Sequence, residues 1–416
     1  MNRRLFLSTL GAGGLGVAGW TGWRYWPDQG VWNPCLGGPL PSRLAEHELI
    51  RAAWEGIDPE QLWDCHVHLI GTGDSDSGIW VNPVNYSLAH PFPYIAQKLY
   101  SNASCAEVEG EVDVRFVKRM MALQDEFPPG SRLMLLAFDY YYDEKGKRVL
   151  ERTLFHIPNG YAERVARQHP QRLEWIASIH PYRQDAVEML AQSHNRGARA
   201  IKWLPSAMGM DPASPLCDRF YEAMAKRGLP LLVHAGGEAA VHGPELQQLN
   251  NPLKLRRALD HGVRVIVAHC ASLGSDIDLD QGSNGPQVAS FELFARMMDD
   301  ARYEGRLFAD VSAMTQANRM GTPLRAVLAR RDWHPRLVNG SDYPLPGVMP
   351  IFSMREMVAM RYITHSEADV LTEVRRYNAL LFDFVLKRHI RVGDKRFQPV
   401  VFHSRRVFDQ AAPAQS

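Results

Sequence analysis

The chain has 416 residues, and its 47 Lys and Arg nearly balance 46 Asp and Glu, for a formal net charge of +1. No run of like charges forms a basic stripe, which excludes the electrostatic footprint of a nucleic-acid binder. A hydrophobic fraction of 45% with 22% charged residues describes a globular chain, long enough for one large α/β barrel with insertions or for two ordinary domains.

In chain order, the first feature is Arg3-Arg4-Leu5-Phe6-Leu7, followed by a Gly/Ala/Leu stretch without charge up to Trp23. An arginine pair ahead of a mild apolar segment resembles a twin-arginine export signal, so residues 1–24 are expected to engage the twin-arginine export machinery. No clear Ala-x-Ala cleavage site follows, which leaves a retained anchor open. The expected location is the periplasm, either free or membrane-anchored, with the membrane touched through this segment alone. Tyr25 to Pro41 is rich in Pro, Gly and Trp without a period and reads as a linker; Ser42 to Trp54 reads as a lead-in helix, so residues 25–57 precede the main domain. The five cysteines, Cys35, Cys65, Cys105, Cys217 and Cys270, show no Cys-x-x-Cys and no framework spacing. Their odd number leaves at least one thiol unpaired within a monomer.

The main domain is expected over residues 58–390. It opens with Trp63-Asp64-Cys65-His66-Val67-His68-Leu69, a strand whose histidines, two residues apart, leave the same face. Seven further apolar runs follow: Leu133 to Tyr140, Leu173 to His180, Ala198 to Leu204, Leu229 to Ala235, Val263 to Cys270, Leu307 to Val311 and Leu337 to Ser341. Between them, helical spacing appears over Gly160 to Gln168, Asp185 to His194, Cys217 to Arg227, Leu253 to His261 and Val288 to Tyr303. Eight strands alternating with helices give the α/β class and the number a (β/α)8 TIM barrel needs. A doubly wound sheet alternates in the same way, so the pattern alone does not choose. Long insertions after strand one (Ile70 to Pro129) and strand six (Gly274 to Pro286) distort the spacing and are expected to act as lids or specificity loops, with plain surface decoration as the alternative. Glu367 to Arg388 reads as one amphipathic helix. Residues 391–416 form a basic, then Ala/Pro-rich tail, expected outside the barrel or disordered.

The strand ends carry the chemistry: His66 and His68 on strand one, Lys202 on strand four, His234 on strand five, His269 on strand six and Asp342 after strand eight. Each alone has an ordinary explanation, a core histidine or a turn aspartate. Lys202 is the exception, because a lysine in an apolar strand must be paired, deprotonated or modified. In a parallel barrel these ends converge on one mouth, where imidazoles and a carboxylate suit a divalent metal with one position open to water.

Asp64-Cys65-His66-Val67-His68, Gly197-Ala198-Arg199-Ala200-Ile201-Lys202, Val233-His234-Ala235-Gly236 and Gly340-Ser341-Asp342-Tyr343-Pro344, with Tyr377-Asn378-Ala379 ahead of an apolar helix, resemble motifs of the amidohydrolase superfamily. The likeness is to its amidohydrolase-related branch, which includes hydrolases, lactonases and nonoxidative decarboxylases, and it covers roughly Asp58 to Lys387. The resemblance implies that His66, His68, His234 and Asp342 hold the metal, zinc being expected, and that His269 is a second ligand or a proton-transfer residue. It also implies that Lys202, if carbamylated, would bridge two ions; one ion is favoured. The expected reaction is metal-assisted hydrolysis of a small amide, ester or lactone, with Asp342 and His269 moving the proton and Lys202 in the catalytic set. Two alternatives stay open: a decarboxylase of the same fold, with Arg115 or Arg183 aimed at a carboxylate, and a noncatalytic envelope protein that binds a metal or ligand. Homo-oligomerisation is also left open.

Secondary expectations concern the neighbours. Period two points Cys65 and Cys270 away from the barrel axis as structural thiols. His180 and Arg183 are candidates for the mouth, and Glu238 and His242 are weaker ones. His156, His194, His261 and His389 are expected at the surface.

Overall fold

Each of the eight apolar runs contains a strand in the computed structural model, which describes residues 27–238 and 244–409. The export-signal segment and His242 fall outside those residues. The strands are β1 (Trp63–His68), β2 (Arg132–Leu136), β3 (Leu173–Ile176), β4 (Ile201–Trp203), β5 (Leu231–His234), β6 (Val265–Ala268), β7 (Leu307–Asp310) and β8 (Leu337–Val338). They run parallel in two ladders, β1-β2-β3 and β4 to β8 in order. Single parallel bridges join the ladders at Ala177 to Ile201 and at Val67 to Tyr343. Backbone bonds from Lys202 N to Ala177 O (2.7 Å), His68 N to Tyr343 O (2.8 Å) and Cys65 N to Asn339 O (3.0 Å) seal those two seams. Closure of the ring selects the barrel over the doubly wound sheet.

A helix follows every strand, as parallel connections require. In order these are Val112–Gln124, Asn159–Gln168, Ala186–Asn195, Asp218–Arg227, Arg256–Asp260, Ser290–Met298, Thr322–Ala329 and His365–Tyr377. Strands covered on both faces read as continuous apolar runs. Met134, Leu136, Ile176, Leu232, Ile266, Phe308 and Val338 fill the barrel, whereas Leu133, Leu135, Leu231 and Val233 pack outward against the helix layer.

In β1 this alternation breaks. Asp64 pairs with Leu133 and Val67 with Leu135, so Cys65 and His66 together oppose Met134. Such a bulge shifts the side-chain parity by one. Trp63 and Cys65 therefore join the barrel interior, and His66 also turns inward. The expectation that Cys65 points outward is corrected by this bulge; Cys270 does lie among the outward cluster.

The expected single helix over Glu367 to Arg388 is two, His365–Tyr377 and Ala379–His389. Asn378 leaves the helical region at φ −143° and ψ 99°. Its side chain accepts from Leu381 N at 2.9 Å and donates to Leu123 O at 2.7 Å, so it caps the second helix instead of continuing the first. Beyond it, Pro399–Phe402 and Arg405–Phe408 close the barrel floor. Val407 and Phe408 enter the interior cluster, each contributing about 1.5–3 kcal/mol by burial. Arg132, Arg199 and Arg405 stand 5.6, 5.3 and 5.5 Å from the Trp63 ring at that same end. Up to Asp409, then, the C-terminal residues form an ordered plug.

The insertion after β1 contains the helix Pro91–Ser104 and a two-residue strand, Trp80–Val81, which pairs antiparallel with Phe155–His156. Phe155–His156 belongs to a further insertion, between β2 and β3, that the sequence pattern did not mark. In the loop after β6, Ser275–Ile277 pairs with Gln287–Ala289. The linker is fastened to the first insertion by a Cys35–Cys105 disulfide, and Cys65, Cys217 and Cys270 are free and buried.

Candidate metal centre

The five strand-end residues named from the sequence, His66, His68, Lys202, His234 and His269, together with Asp342, line one cavity of about 310 Å³ at the C-terminal mouth of the barrel. Ligand atoms of His66, His68 and Asp342 lie within 4.8 Å of one another. Asp342 Oδ1 is 3.0 Å from His68 Nε2 and 3.5 Å from His66 Nε2, and its Oδ2 is 3.8 Å from His269 Nε2. Asp342 adopts φ 61°, and His269, Cys270 and Ala271 form a run at φ 55°, 52° and 47°. Left-handed backbone at non-glycine residues costs energy and persists where the surroundings fix it. Here it aims both side chains into the mouth.

His234 lines the same floor, its ring centroid 5.4 Å from that of His269. Its Nδ1 faces Glu238 Oε2 at 3.3 Å, whereas its Nε2 is buried without a hydrogen-bond partner. A buried imidazole nitrogen left without a partner is costly, and a metal would satisfy it. Burial lowers the His66 and His269 imidazoles below their ordinary range and pulls His234 down to about 4. Neutral imidazole is the form that ligates metals. Burial works against the charge on Asp342, but the His269 and His66 rings and the His68 hydrogen bond outweigh it and hold the carboxyl well below its usual range. The donor set thus fits a divalent cation.

Beneath these residues lies Asp310, at the end of β7, which the sequence reading passed over. It is fully buried and accepts from His66 Nδ1 (2.8 Å), His269 N (3.0 Å) and Ser312 N (3.0 Å), and also from the Ser312 hydroxyl. Burial alone would raise its pKa, but His66 and these bonds keep it far below the carboxylate range. By holding His66 Nδ1, Asp310 turns Nε2 toward the cavity, the usual task of a carboxylate behind a metal-binding imidazole. Ser312 Oγ likewise lies 2.7 Å from His269 Nδ1.

Lys202 is buried, with Nζ 3.1 Å from His66 Nε2, and burial lowers its pKa. Glu238, a weak candidate from sequence, does line the cavity. Several other expectations are corrected. His180 is buried, its ring bonded to Met208 O at 3.0 Å, and stands outside the cavity. Arg115 pairs with Glu111, and Arg183 with Asp139 and Asp185, so neither reaches the mouth. His389 is buried against Leu49 O at 2.7 Å, and His156 stacks on Tyr140.

The basic residue that does line the cavity is Arg319, in the loop after β7. It is 5% exposed, its Nη1 donates to Ser272 Oγ at 3.1 Å, and its Nε is buried without a partner. Gln316 Nε2, beside it in the cavity wall, is also unpartnered. Among the described residues no carboxylate forms an ion pair with Arg319. The outer wall is apolar, with Ile70, Ile79, Phe138, Phe155 and Ile351 among its lining.

The amidohydrolase family model matches residues 63–380. No curated protein matches the sequence. Among solved structures, the chain is similar to an uncharacterized TIM-barrel protein of Bordetella bronchiseptica, at 14% identity and TM-score 0.46, covering 75% of this chain and 98% of that one. It is also similar to a probable 2-pyrone-4,6-dicarboxylic acid hydrolase of Acinetobacter baumannii, at 14% identity and TM-score 0.42, covering 76% and 100%. A third similar structure is 5-carboxyvanillate decarboxylase of Sphingomonas paucimobilis, at 9% identity and TM-score 0.43, covering 84% and 98%. The family match spans well over half of the chain, which therefore belongs to the amidohydrolase family of metal-dependent enzymes.

Proposed function

We propose that the protein hydrolyses a small carbonyl compound, an amide, ester or lactone, with one divalent cation held by His66, His68, His234 and Asp342. The observation that carries this reading is that His66, His68 and Asp342 place ligand atoms within 4.8 Å of one another and that His234 lines the same cavity with its Nε2 buried and unsatisfied. When bound, the cation supplies Lewis acidity, which acidifies a water and polarises the carbonyl, and zinc suits these donors.

Asp342 is the proposed proton acceptor. One of its oxygens faces His66 and His68 and the other faces His269, so it lies between the ligand side and the proton-transfer side. His269 Nε2 is the group that would carry the proton to the leaving atom or steady the developing oxyanion. Lys202 Nζ would hold a carbonyl oxygen or a water beside His66; its carbamylation would instead favour a second ion. Arg319 and the Gln316 amide would take an anionic or oxygen-rich end of the substrate, with its apolar body against Phe138 and Ile351.

The same Arg319 favours decarboxylation of a carboxylated substrate as the second reading. Turnover of carboxylated lactones, esters and aromatic acids in water enriched in ¹⁸O separates the two. Hydrolysis places one ¹⁸O in the product, whereas decarboxylation releases carbon dioxide and places none in the organic product. Asp342→Asn should lower kcat by about 10²–10⁴-fold, and full activity in that variant would remove the proposed proton acceptor. We also infer export from the cytoplasm, on the arginine pair with its apolar segment and on the Cys35–Cys105 disulfide, since disulfides persist in oxidising compartments.

A further inference from the structure

The helix Pro91–Ser104 carries apolar side chains on two faces, one turned to the cavity and one to the outside. Pro93, Ala96 and Tyr100 turn inward and line the cavity mouth. Outward, Phe92 is 77% exposed and Ile95 54%, and Leu88, just ahead of the helix, is 77% exposed. A helix on the surface of a globular protein normally turns charge to water, yet Lys98 is the one charged residue between Pro91 and Ser104. An exposed row of this kind marks a contact surface.

What covers it is indicated by where the chain comes from. The outward row Phe92, Ile95, Leu99 continues to Asn102, to whose side chain Asn33 N donates at 2.7 Å. The Cys35–Cys105 disulfide fixes the linker at the same end of the helix. Next to Asn33, Val31 and Trp32 are 44% and 56% exposed. The linker leads back from there to Leu5–Trp23, a segment with no charged residue. The eight residues between Trp23 and Trp32 span at most roughly 28 Å. Whatever holds the apolar segment is therefore within reach of the exposed row.

We propose that this row, from Leu88 through Phe92 and Ile95 to Trp32, lies on the surface of a phospholipid bilayer, with the cavity mouth beside the membrane. Exposed apolar side chains sink into the headgroup boundary, where Trp is favoured, and Lys98 meets anionic headgroups. The proposal concerns orientation and does not depend on which reaction the cavity performs.

The test uses the full chain carrying Phe92→Cys, Ile95→Cys or, as a control at the opposite end of the barrel, Glu304→Cys, each labelled with bimane. The three native free thiols are buried, so the label reports the introduced one. Proteins are reconstituted with vesicles of phosphatidylethanolamine and phosphatidylglycerol, with or without doxyl-labelled lipid. The expected result is a blue shift and doxyl quenching at positions 92 and 95 and neither at 304. Emission at 92 and 95 that matches the control would overturn the proposal. So would a blue shift without doxyl quenching, because protein, either a second copy or the apolar segment itself, would then cover the row.

Discussion

His66 shows how much of the proposed metal site is decided behind the ligand. Its Nδ1 is held by Asp310 at 2.8 Å, which leaves Nε2 as the atom offered to the cavity. Asp310→Asn removes the charge that orients and polarises the ring while keeping the shape. Zinc affinity should fall by about 10–100-fold, measured by competition with a chromophoric chelator, with the fold retained by circular dichroism. An unchanged affinity would make Asp310 merely structural. The ligand-type residues at the strand ends were legible from sequence because each stood as a polar interruption in an apolar run. Asp310 closes Leu307-Phe308-Ala309-Asp310, so the same criterion applied to strand seven would have found it. Arg319 was not legible in this way, because a loop arginine gives no hint of its burial until the loop is folded over the mouth.

At the scale of elements, the β8 backbone must pass close to β1 for Asp342 to reach His66. A Cβ on Gly340 would come 2.7 Å from His66 Cβ and 3.3 Å from Ser312 Cβ. Gly340→Ala should therefore cost about 1–3 kcal/mol of stability and lower metal uptake with it, read from the urea midpoint with and without zinc. Behind β8, the helix Ala379–His389 buries Lys387, whose Nζ donates to Gly340 O and to Asp383 Oδ2, both at 2.6 Å. Burial pushes the Asp383 carboxyl up to about 7, against the pull of Lys387. Between its unfolded value near 4 and 7, the folded chain keeps a proton that the unfolded chain has released. The stability this supplies is complete below that unfolded value and is lost as the pH rises through 7. The urea midpoint of the wild type should accordingly fall between pH 5 and pH 8 more steeply than that of Asp383→Asn; parallel curves would contradict the assignment. Elements were read well where periodicity was unbroken and misread where one residue reset it. The β1 bulge put Cys65 inside, and Asn378 ended a helix that apolar spacing alone would continue.

For the whole molecule, closure of the barrel follows from eight parallel strands that each bury both faces, and that count was visible in the sequence. The ties across the exterior were not. Five cysteines permit several pairings, and the linker and first insertion are separated by 70 residues between Cys35 and Cys105. Closing a loop of that length restricts the unfolded chain, so Cys35→Ser with Cys105→Ser should lower stability by about 2–4 kcal/mol, seen as a lower denaturation midpoint with the metal content unchanged. A drop in metal content would show that the tie also shapes the mouth. The floor plug of Val407 and Phe408 was hidden for a related reason, since short apolar pairs in a basic tail carry no period.

The proposed activity rests on the strand ends converging to hold one cation. Anomalous scattering at the zinc edge, from crystals of the zinc-loaded protein, tests it most directly. A single peak is expected within about 2.0–2.2 Å of nitrogens of His66, His68 and His234 and of an Asp342 oxygen. A barrel mouth without a peak, or a second full peak beside Lys202, would contradict it.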